Sequence, residues 1–419
     1  MSADSIPVNR HTLANGLRVV HSYDPATAMV AVDVLYDVGA RDENRRLTGI
    51  AHLFEHLMFG GSANVPSFDR EIENAGGSCN AWTSNDFTNF YDTLPAQNIA
   101  TAFHLESDRM LALDFSPRAL EVQRGVVIEE FKQTCLNRPY GDLMHHLRRI
   151  VYSECHPYSW PVIGLRPEHI AAVTPDDVRQ WFYAHYAPDN AILAVSGAVS
   201  FGQTVELAER WFADIPARLP APRRLPDPGF PKENITETVT ADVPQPMVIM
   251  AFPMDGYGTP RYHAADTITD ILSAGRASRF TQRLLLGGPK GLFAGVDASI
   301  IGSEHEGLLM LCARLGENTD SAIDSARALM LGEARRLALT GDISDREFDR
   351  TLNNFEANFR FSNIGYLHRA INLATAELHG EDINATVADR RCLTPADIAA
   401  EADRLFNRTP FASLIYRPI

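Results

Sequence analysis

The chain has 419 residues, of which 45% are hydrophobic and 22% charged, and a formal net charge of −15. That length is too great for one compact core and implies two or more domains, while the charged fraction is that of a folded globular protein and not of a disordered one. With no Lys/Arg-rich run to set against the acidic balance, nucleic acid is excluded as a partner; neutral or basic peptides are compatible, though solubility alone accounts for the charge.

The first residues, Met1-Ser-Ala-Asp-Ser-Ile, have no charged stretch leading into an apolar one, so no signal peptide is expected. Residues 10–22 read as a hairpin around Asn15-Gly16, a type I′ turn signal. The valine-rich run Met29–Tyr36 is predicted as a strand, and residues 38–44 as a loop leading to the next element. That element is Ala51-His52-Leu53-Phe54-Glu55-His56-Leu57-Met58. Its apolar residues (Ile50, Leu53, Phe54, Leu57, Met58) recur at helical spacing, and Gly60-Gly61 ends it.

This short helix carries His-x-x-Glu-His, the inverted order of the zincin motif. Residues four apart on a helix share a face, so His52 and His56 offer two imidazole nitrogens to one ion. Glu55 lies within about a third of a turn of both. Zinc accepts two neutral imidazoles plus a carboxylate, leaves one position open and lowers the pKa of a water there towards ~7, and Glu55 then serves as general base. The spacing of the histidines alone fits a helix with two satisfied side chains equally well; the intervening glutamate favours the metal.

A second helix follows Pro66-Ser67, with Ser67 as its N-cap, and stops at Gly76-Gly77. Residues 78–84 and 86–94 read as strands, the first polar enough for a sheet edge. Helices are expected over 99–113 and 118–132, then a loop-rich passage with His156-Pro157-Tyr158 and residues 161–164. Thr174 caps another helix with Pro175 at its first position. Residues 190–199 form a buried strand and 202–212 a helix. No apolar run, including 191–199, reaches the ~20 residues that span a bilayer.

Six prolines between Pro216 and Pro231 mark a semi-rigid extended linker. Beyond it, residues 246–254 echo the strand at Met29, and 261–273 give a helix where the metal helix stood. Long helices follow at 319–337, 344–359, 363–379 and 395–406. The expected fold is α+β: two homologous α/β-sandwich-like halves, each a mostly antiparallel sheet flanked by helices, related by a pseudo-twofold repeat. The boundaries are 1–215 for the zinc-binding domain, 216–232 for the linker and 233–419 for the non-metal domain. The echo lacks a histidine pair, offering only Asp270-Ile-Leu-Ser-Ala, so metal chemistry belongs to the first half. Five cysteines (Cys79, Cys135, Cys155, Cys312, Cys392), none in a C-x-x-C pair, suggest free thiols in a reducing compartment. The expected location is the cytoplasm, or the periplasm if the chain begins at a mature terminus.

A metal site needs a third protein ligand. The candidates in the first half are His104, Glu106, Glu121, Glu129, Glu130, His145, His146 and His156. The run Val122-Gln-Arg-Gly-Val-Val-Ile-Glu-Glu-Phe is a helix whose paired glutamates close an apolar face, and a buried carboxylate is costly unless a cation or metal pairs with it. Spacing does not choose between Glu129 and Glu130, and a solvated helix face explains either. His156 reads as a structural loop histidine, and His145-His146 as a solvated pair.

The first half resembles the pitrilysin/insulinase-type inverzincin peptidases, most closely the processing-peptidase subfamily and its zinc-bearing subunit. The resemblance is carried by Asn15-Gly16-Leu17, Gly39 to Glu43, Gly49 with His52-x-x-Glu55-His56-Leu-Met-Phe59, and Gly76-Gly77 with Asn80-Ala81-x-Thr83. It continues through Asp86-x-Thr88-x-Phe90-Tyr91, Arg124-x-Val126-Val127-x-Glu129-Glu130, and His156-Pro157-Tyr158 with Gly164. The second half agrees in outline only. The resemblance implies a zinc metalloendopeptidase with one zinc per chain, bound by His52, His56 and Glu130. It implies Glu55 as the base and substrate added as a strand along Asn80-Ala81-Trp82-Thr83. The family's glutamate seven residues before the third ligand is Gln123 here, a departure that alters the shell around the metal.

The family's active enzymes also carry an arginine and a tyrosine in the second half that hold substrate carbonyls. Aligned on Gly291-Leu292, those positions are Gly287 and Ala294. The resemblance therefore implies a catalytic subunit of a heterodimer, cleaving peptides or unfolded segments inside a chamber. A homologous partner lacking the zinc motif would supply the clamp. The alternatives are a non-catalytic structural or assembly subunit with the peptidase fold, and a self-sufficient homodimeric peptidase.

Overall fold

The computed structural model describes residues 5–62, 64–113, 115–218 and 222–419. Valine-rich and alternating segments pair into two sheets. The first contains β1 (Asn9–Thr12), β2 (Arg18–Tyr23), β3 (Met29–Tyr36), β4 (Ser78–Thr83), β5 (Thr88–Pro95) and β6 (Ala191–Gly197), in the order β1-β2-β6-β3-β5-β4. The second contains β7 (Ile235–Ala241), β8 (Met247–Met254), β9 (Phe293–Ile301), β10 (Gly307–Leu315) and β11 (Ala412–Pro418), in the order β7-β11-β8-β10-β9.

With β1 set aside, the two sheets are the same object built twice. Within β2-β6-β3-β5-β4 the first pair is parallel and the rest antiparallel, and β7-β11-β8-β10-β9 repeats that pattern. Each is a mostly antiparallel sheet flanked by helices, as the recurring strand–helix pattern implied.

The middle strands read as continuous apolar runs because both faces are covered. On one face of the first sheet, Val30, Val32 and Val34 of β3 share a core with Leu53 and Phe54 of helix Ile50–Leu57, Phe103 of helix Ile99–Leu111 and Phe182 of helix Pro175–His185. On the other, Leu35, Ile192 and Ala194 pack with Leu373 and Ala374 of helix Tyr366–His379. In the second sheet, Val248 and Phe252 pack with Ile268 of helix Pro260–Ser273, while Ile249 and Leu414 face Leu147 and Val151 of helix Leu143–Val151.

The compact units are therefore not contiguous in sequence, and the expected division at 1–215 and 233–419 is corrected. One unit gathers the chain up to Lys132, Trp160–Leu225 and Asn358–Thr386; the other gathers Gln133–Ser159, Pro226–Ala357 and Val387–Ile419. Each half of the sequence gives one amphipathic helix to the sheet of the other half. Helical periodicity shows that such a helix has an apolar face but not which sheet it covers.

Residues 216–218 and 222–232 form no helix or strand, in keeping with a linker; 219–221 lie outside the described residues. Its arginines fasten the described part to the first unit. Arg218 donates from its amide to Asp189 and from its guanidinium to the Tyr186 carbonyl, and Arg223 bonds Asp42 at 2.6 Å. Two local expectations need correction. Gly16 is left-handed but Asn15 is not, so the hairpin turn is not type I′. The Asn15 amide is instead used by the Phe212 and Ile215 carbonyls. Ser67 precedes helix Phe68–Asn74 as expected, yet its side chain accepts no capping bond.

A polar diagonal crosses the apolar face under helix Tyr366–His379. Ser22 lies opposite Ser196, and the fully buried Asp33 accepts from the Asn89 amide at 2.7 Å. Burial pushes the Asp33 carboxyl up to about 8. The unfolded chain releases that proton near pH ~4. The folded state thus binds more protons between those values, and stability falls as pH rises through that window. Urea unfolding at pH 5, 6 and 7 should show Asp33→Asn flattening this decline by up to about 1.4 kcal/mol per pH unit.

Candidate metal centre

The chain leaves β3 through a loop fixed by the buried Arg41, which bonds Asp37 at 2.5 Å and Asp86 at 3.1 Å. Two residues later, the Glu43 carboxylate accepts from the backbone of Gly49 at 3.0 Å and Ala51 at 2.9 Å. These are donors of the first turn of helix Ile50–Leu57, which Gly49 has no side chain to satisfy. Gly49 is itself required: its φ is +91°, and a Cβ there would stand 2.8 Å from the Ile163 carbonyl oxygen. Leu53, Phe54 and Leu57 then go into the core, leaving His52, Glu55 and His56 half-buried on the opposite face.

Helix Pro117–Phe131 is capped by the Ser116 hydroxyl and sends Leu120 and Val127 into the same core. Its last turn separates the paired glutamates. Glu129 points outward and pairs with Lys132 at 2.5 Å, whereas Glu130 Oε2 lies 3.4 Å from His56 Nε2 and 3.8 Å from His52 Nε2. One ligand atom from each of His52, His56 and Glu130 falls within 4.8 Å of the other two. Two ligands about 2.1 Å from one tetrahedral ion stand about 3.4 Å apart, so this donor set fits zinc. Two imidazoles and one carboxylate, with Glu55 outside the trio, also match the ligand chemistry of a catalytic zinc site.

The electrostatics favour ligation. Burial pushes the His52 imidazole down to about 4, with the neighbouring His56 adding to the effect and Glu130 opposing it. At neutral pH its ring is therefore uncharged, the form that binds a metal. The hydrogen bond from His56 holds the Glu130 carboxyl below its ordinary range. Burial raises that of Glu55, against the pull of the Thr83 hydroxyl, which donates to Glu55 Oε2 at 2.6 Å. His52 Nδ1 is buried and finds no partner among the described residues, so packing rather than a hydrogen bond sets that ring's orientation.

Asn80, Ala81, Trp82 and Thr83 lie on β4, the edge strand of the first sheet, beside the metal helix. An edge strand can template a further strand, though the outward Ala81 amide here donates to the Asn80 side chain at 2.8 Å, a bond that an added strand would displace. Next to them is a cleft of about 400 Å³ lined by Phe59, Asp69, Ile72, Glu73, Cys79 and Asn80. Gln123 lies on helix Pro117–Phe131, seven residues before Glu130. It makes no hydrogen bond among the described residues, and its amide lies beside Gly60, after the metal helix. The other ligand candidates are engaged elsewhere: Glu106 with Arg109, Glu121 with Arg124, and His104 against the Trp211 ring. His156 is buried and its Nδ1 accepts from the Tyr158 amide, a structural role. His146 is not solvated as expected, because it lies between Glu237 at 2.6 Å and Asp142 at 3.2 Å. Sequence reasoning missed Glu43 and the Thr83–Glu55 bond. The signal for Glu43 was a helix opening on glycine, with a carboxylate six residues upstream.

Residues 18–154 match the family profile "Insulinase (Peptidase family M16)", and residues 172–355 match "Peptidase M16 inactive domain". The zinc protease PqqE of Helicobacter pylori is 27% identical, over 97% of this chain and 92% of its own length. The beta subunit of the mitochondrial-processing peptidase of Saccharomyces cerevisiae is 29% identical over 63% of this chain and 58% of its own. The crystal structure of a protease from Helicobacter pylori superposes with a TM-score of 0.89 at 25% identity, over 99% of this chain and 100% of that one.

Elemental analysis after dialysis against zinc should give about one ion per chain. His52→Ala, His56→Ala and Glu130→Ala should each abolish retention. Glu129→Gln and Glu55→Gln should keep it, since neither side chain belongs to the trio.

Proposed function

The chain belongs to peptidase family M16, the insulinase family, and we propose that it works there as a zinc endopeptidase, the metal-bearing subunit of a heterodimer. The observation that carries this reading is the convergence of His52, His56 and Glu130 with Glu55 alongside but outside them. Zinc bound by those residues would supply a Lewis acid for the scissile carbonyl and ease the ionisation of water. Glu55 takes the proton of the attacking water and returns it to the leaving amine. Its raised pKa brings it nearer the working pH of such a proton carrier. A peptide joins the sheet along Asn80–Thr83, where backbone hydrogen bonds give affinity with little demand on sequence.

The second half supports the division of labour. Gly287 and Ala294 offer no cationic or phenolic group to a substrate carbonyl, and donors aimed at developing charge are often the largest catalytic contribution. A homologous partner without the zinc motif would provide them. The naming of the yeast relative as a beta subunit points the same way. The same absence favours a second reading, a non-catalytic assembly subunit that kept the peptidase fold. The inactive-domain match bears on it too, although it covers residues 172–355 and leaves the metal trio outside.

Zinc-loaded protein should cleave an unstructured peptide in the presence of its partner, and removing the metal with a chelator should stop cleavage. Glu55→Gln should lower kcat by about 10²- to 10⁴-fold at unchanged zinc content. Full turnover by the pure chain alone would reject the heterodimer. Absence of turnover with zinc bound and the partner present would leave the assembly reading.

A further inference from the structure

Side chains along a strand alternate between the two faces of its sheet. Cys79 and Ala81 of β4 pack against the core of the first unit, so Thr83, two residues further on, points to that same side. There it meets the metal helix. The Thr83 hydroxyl donates to Glu55 Oε2 at 2.6 Å. From this contact we infer that Thr83 is the positioning residue for the general base and couples it to the strand that substrate joins. The inference rests on the peptidase reading given above.

A glutamate side chain turns about three torsions, and a half-buried one keeps much of that freedom unless a partner selects a rotamer. Thr83 is suited to select it. Its β-branched side chain is stiff at χ1, so the hydroxyl is fixed relative to the backbone of β4. The same backbone is the edge along which a peptide pairs. A peptide that straightens and orders β4 therefore also orders the group that takes the proton. An empty edge leaves both looser. Valine has the shape of threonine without its hydroxyl, whereas serine keeps the hydroxyl on a freer χ1.

The test compares Thr83→Val, Thr83→Ser, Glu55→Gln and the Thr83→Val/Glu55→Gln double variant, each with its partner, on one unstructured peptide. Thr83→Val should lower kcat about 10- to 100-fold, the scale of a misplaced catalytic group. Its zinc content, melting temperature and affinity for the peptide in the metal-free protein should be unchanged. Thr83→Ser should keep most of the rate. In the Glu55→Gln background, Thr83→Val should cost nothing further, because the group it acts through is gone. A wild-type kcat for Thr83→Val overturns the inference while leaving the peptidase reading intact. So does an equal loss in both backgrounds, or a loss of zinc or of melting temperature that serine does not rescue. No cleavage by the zinc-loaded wild type overturns the peptidase reading and the inference with it.

Discussion

The approach of Glu130 to two imidazoles is the constraint on which the rest depends. It brings three ligand atoms within 4.8 Å of one another at a half-buried site, from segments more than seventy residues apart. Without a cation, such an arrangement gains little, since desolvation already strips His52 of its ease of protonation. The core must therefore hold it. Leu53, Phe54 and Leu57 on one helix and Leu120 and Val127 on the other sink into a single apolar cluster, each contributing about 1.5–3 kcal/mol. The polar donors then stand on the outer faces of helices whose inner faces are fixed. Glu43 completes the arrangement by tying the loop after β3 to the first turn of the metal helix.

The chemistry was more legible than the assembly. His52, Glu55 and His56 announce themselves because their spacing is local, and a helix converts local spacing directly into a shared face. Glu130 was not decidable from its own surroundings. Glu129 is the same residue type one position away, and only tertiary packing turns one carboxylate inward and the other to Lys132. Most helices and strands followed from periodicity and from capping residues such as Thr174, whose capping box with Asp177 forms as its sequence suggests. Strand order was illegible for the opposite reason. β6 enters the first sheet between β2 and β3, a pairing across more than 150 residues that no local pattern encodes.

The exchange of helices shows the same limit at a larger scale. Helix Leu143–Val151 and helix Tyr366–His379 each cover a sheet made by the other half of the sequence. Their apolar faces are plain, yet a sheet of either unit would satisfy them. Repetition also explains why the exchange occurs twice. Both helices follow the long helix of their own repeat, Pro117–Phe131 in one case and Asp345–Ser362 in the other, so one connection pattern recurs in both halves. A boundary drawn at the proline-rich linker therefore falls between the strands of the two sheets while dividing each compact unit across its outer layer.

Duplication also isolates what is chemical in the unit that holds the candidate metal trio. In the second unit, helix Pro260–Ser273 takes the place of the metal helix and β9 that of the edge strand β4. There, too, the helix is tied to the edge: the Ser273 hydroxyl donates to the Ala298 carbonyl at 2.7 Å. In the first unit the tie is reversed, with Thr83 on the strand donating to Glu55 on the helix at 2.6 Å. A neutral hydroxyl-to-backbone bond thus suffices to join helix and edge in this fold. A carboxylate in that place carries a desolvation cost that the neutral bond avoids, and burial raises its pKa. The scaffold does not need Glu55 to be acidic, and its carboxylate shares a half-buried helix face with the two histidines of the candidate trio.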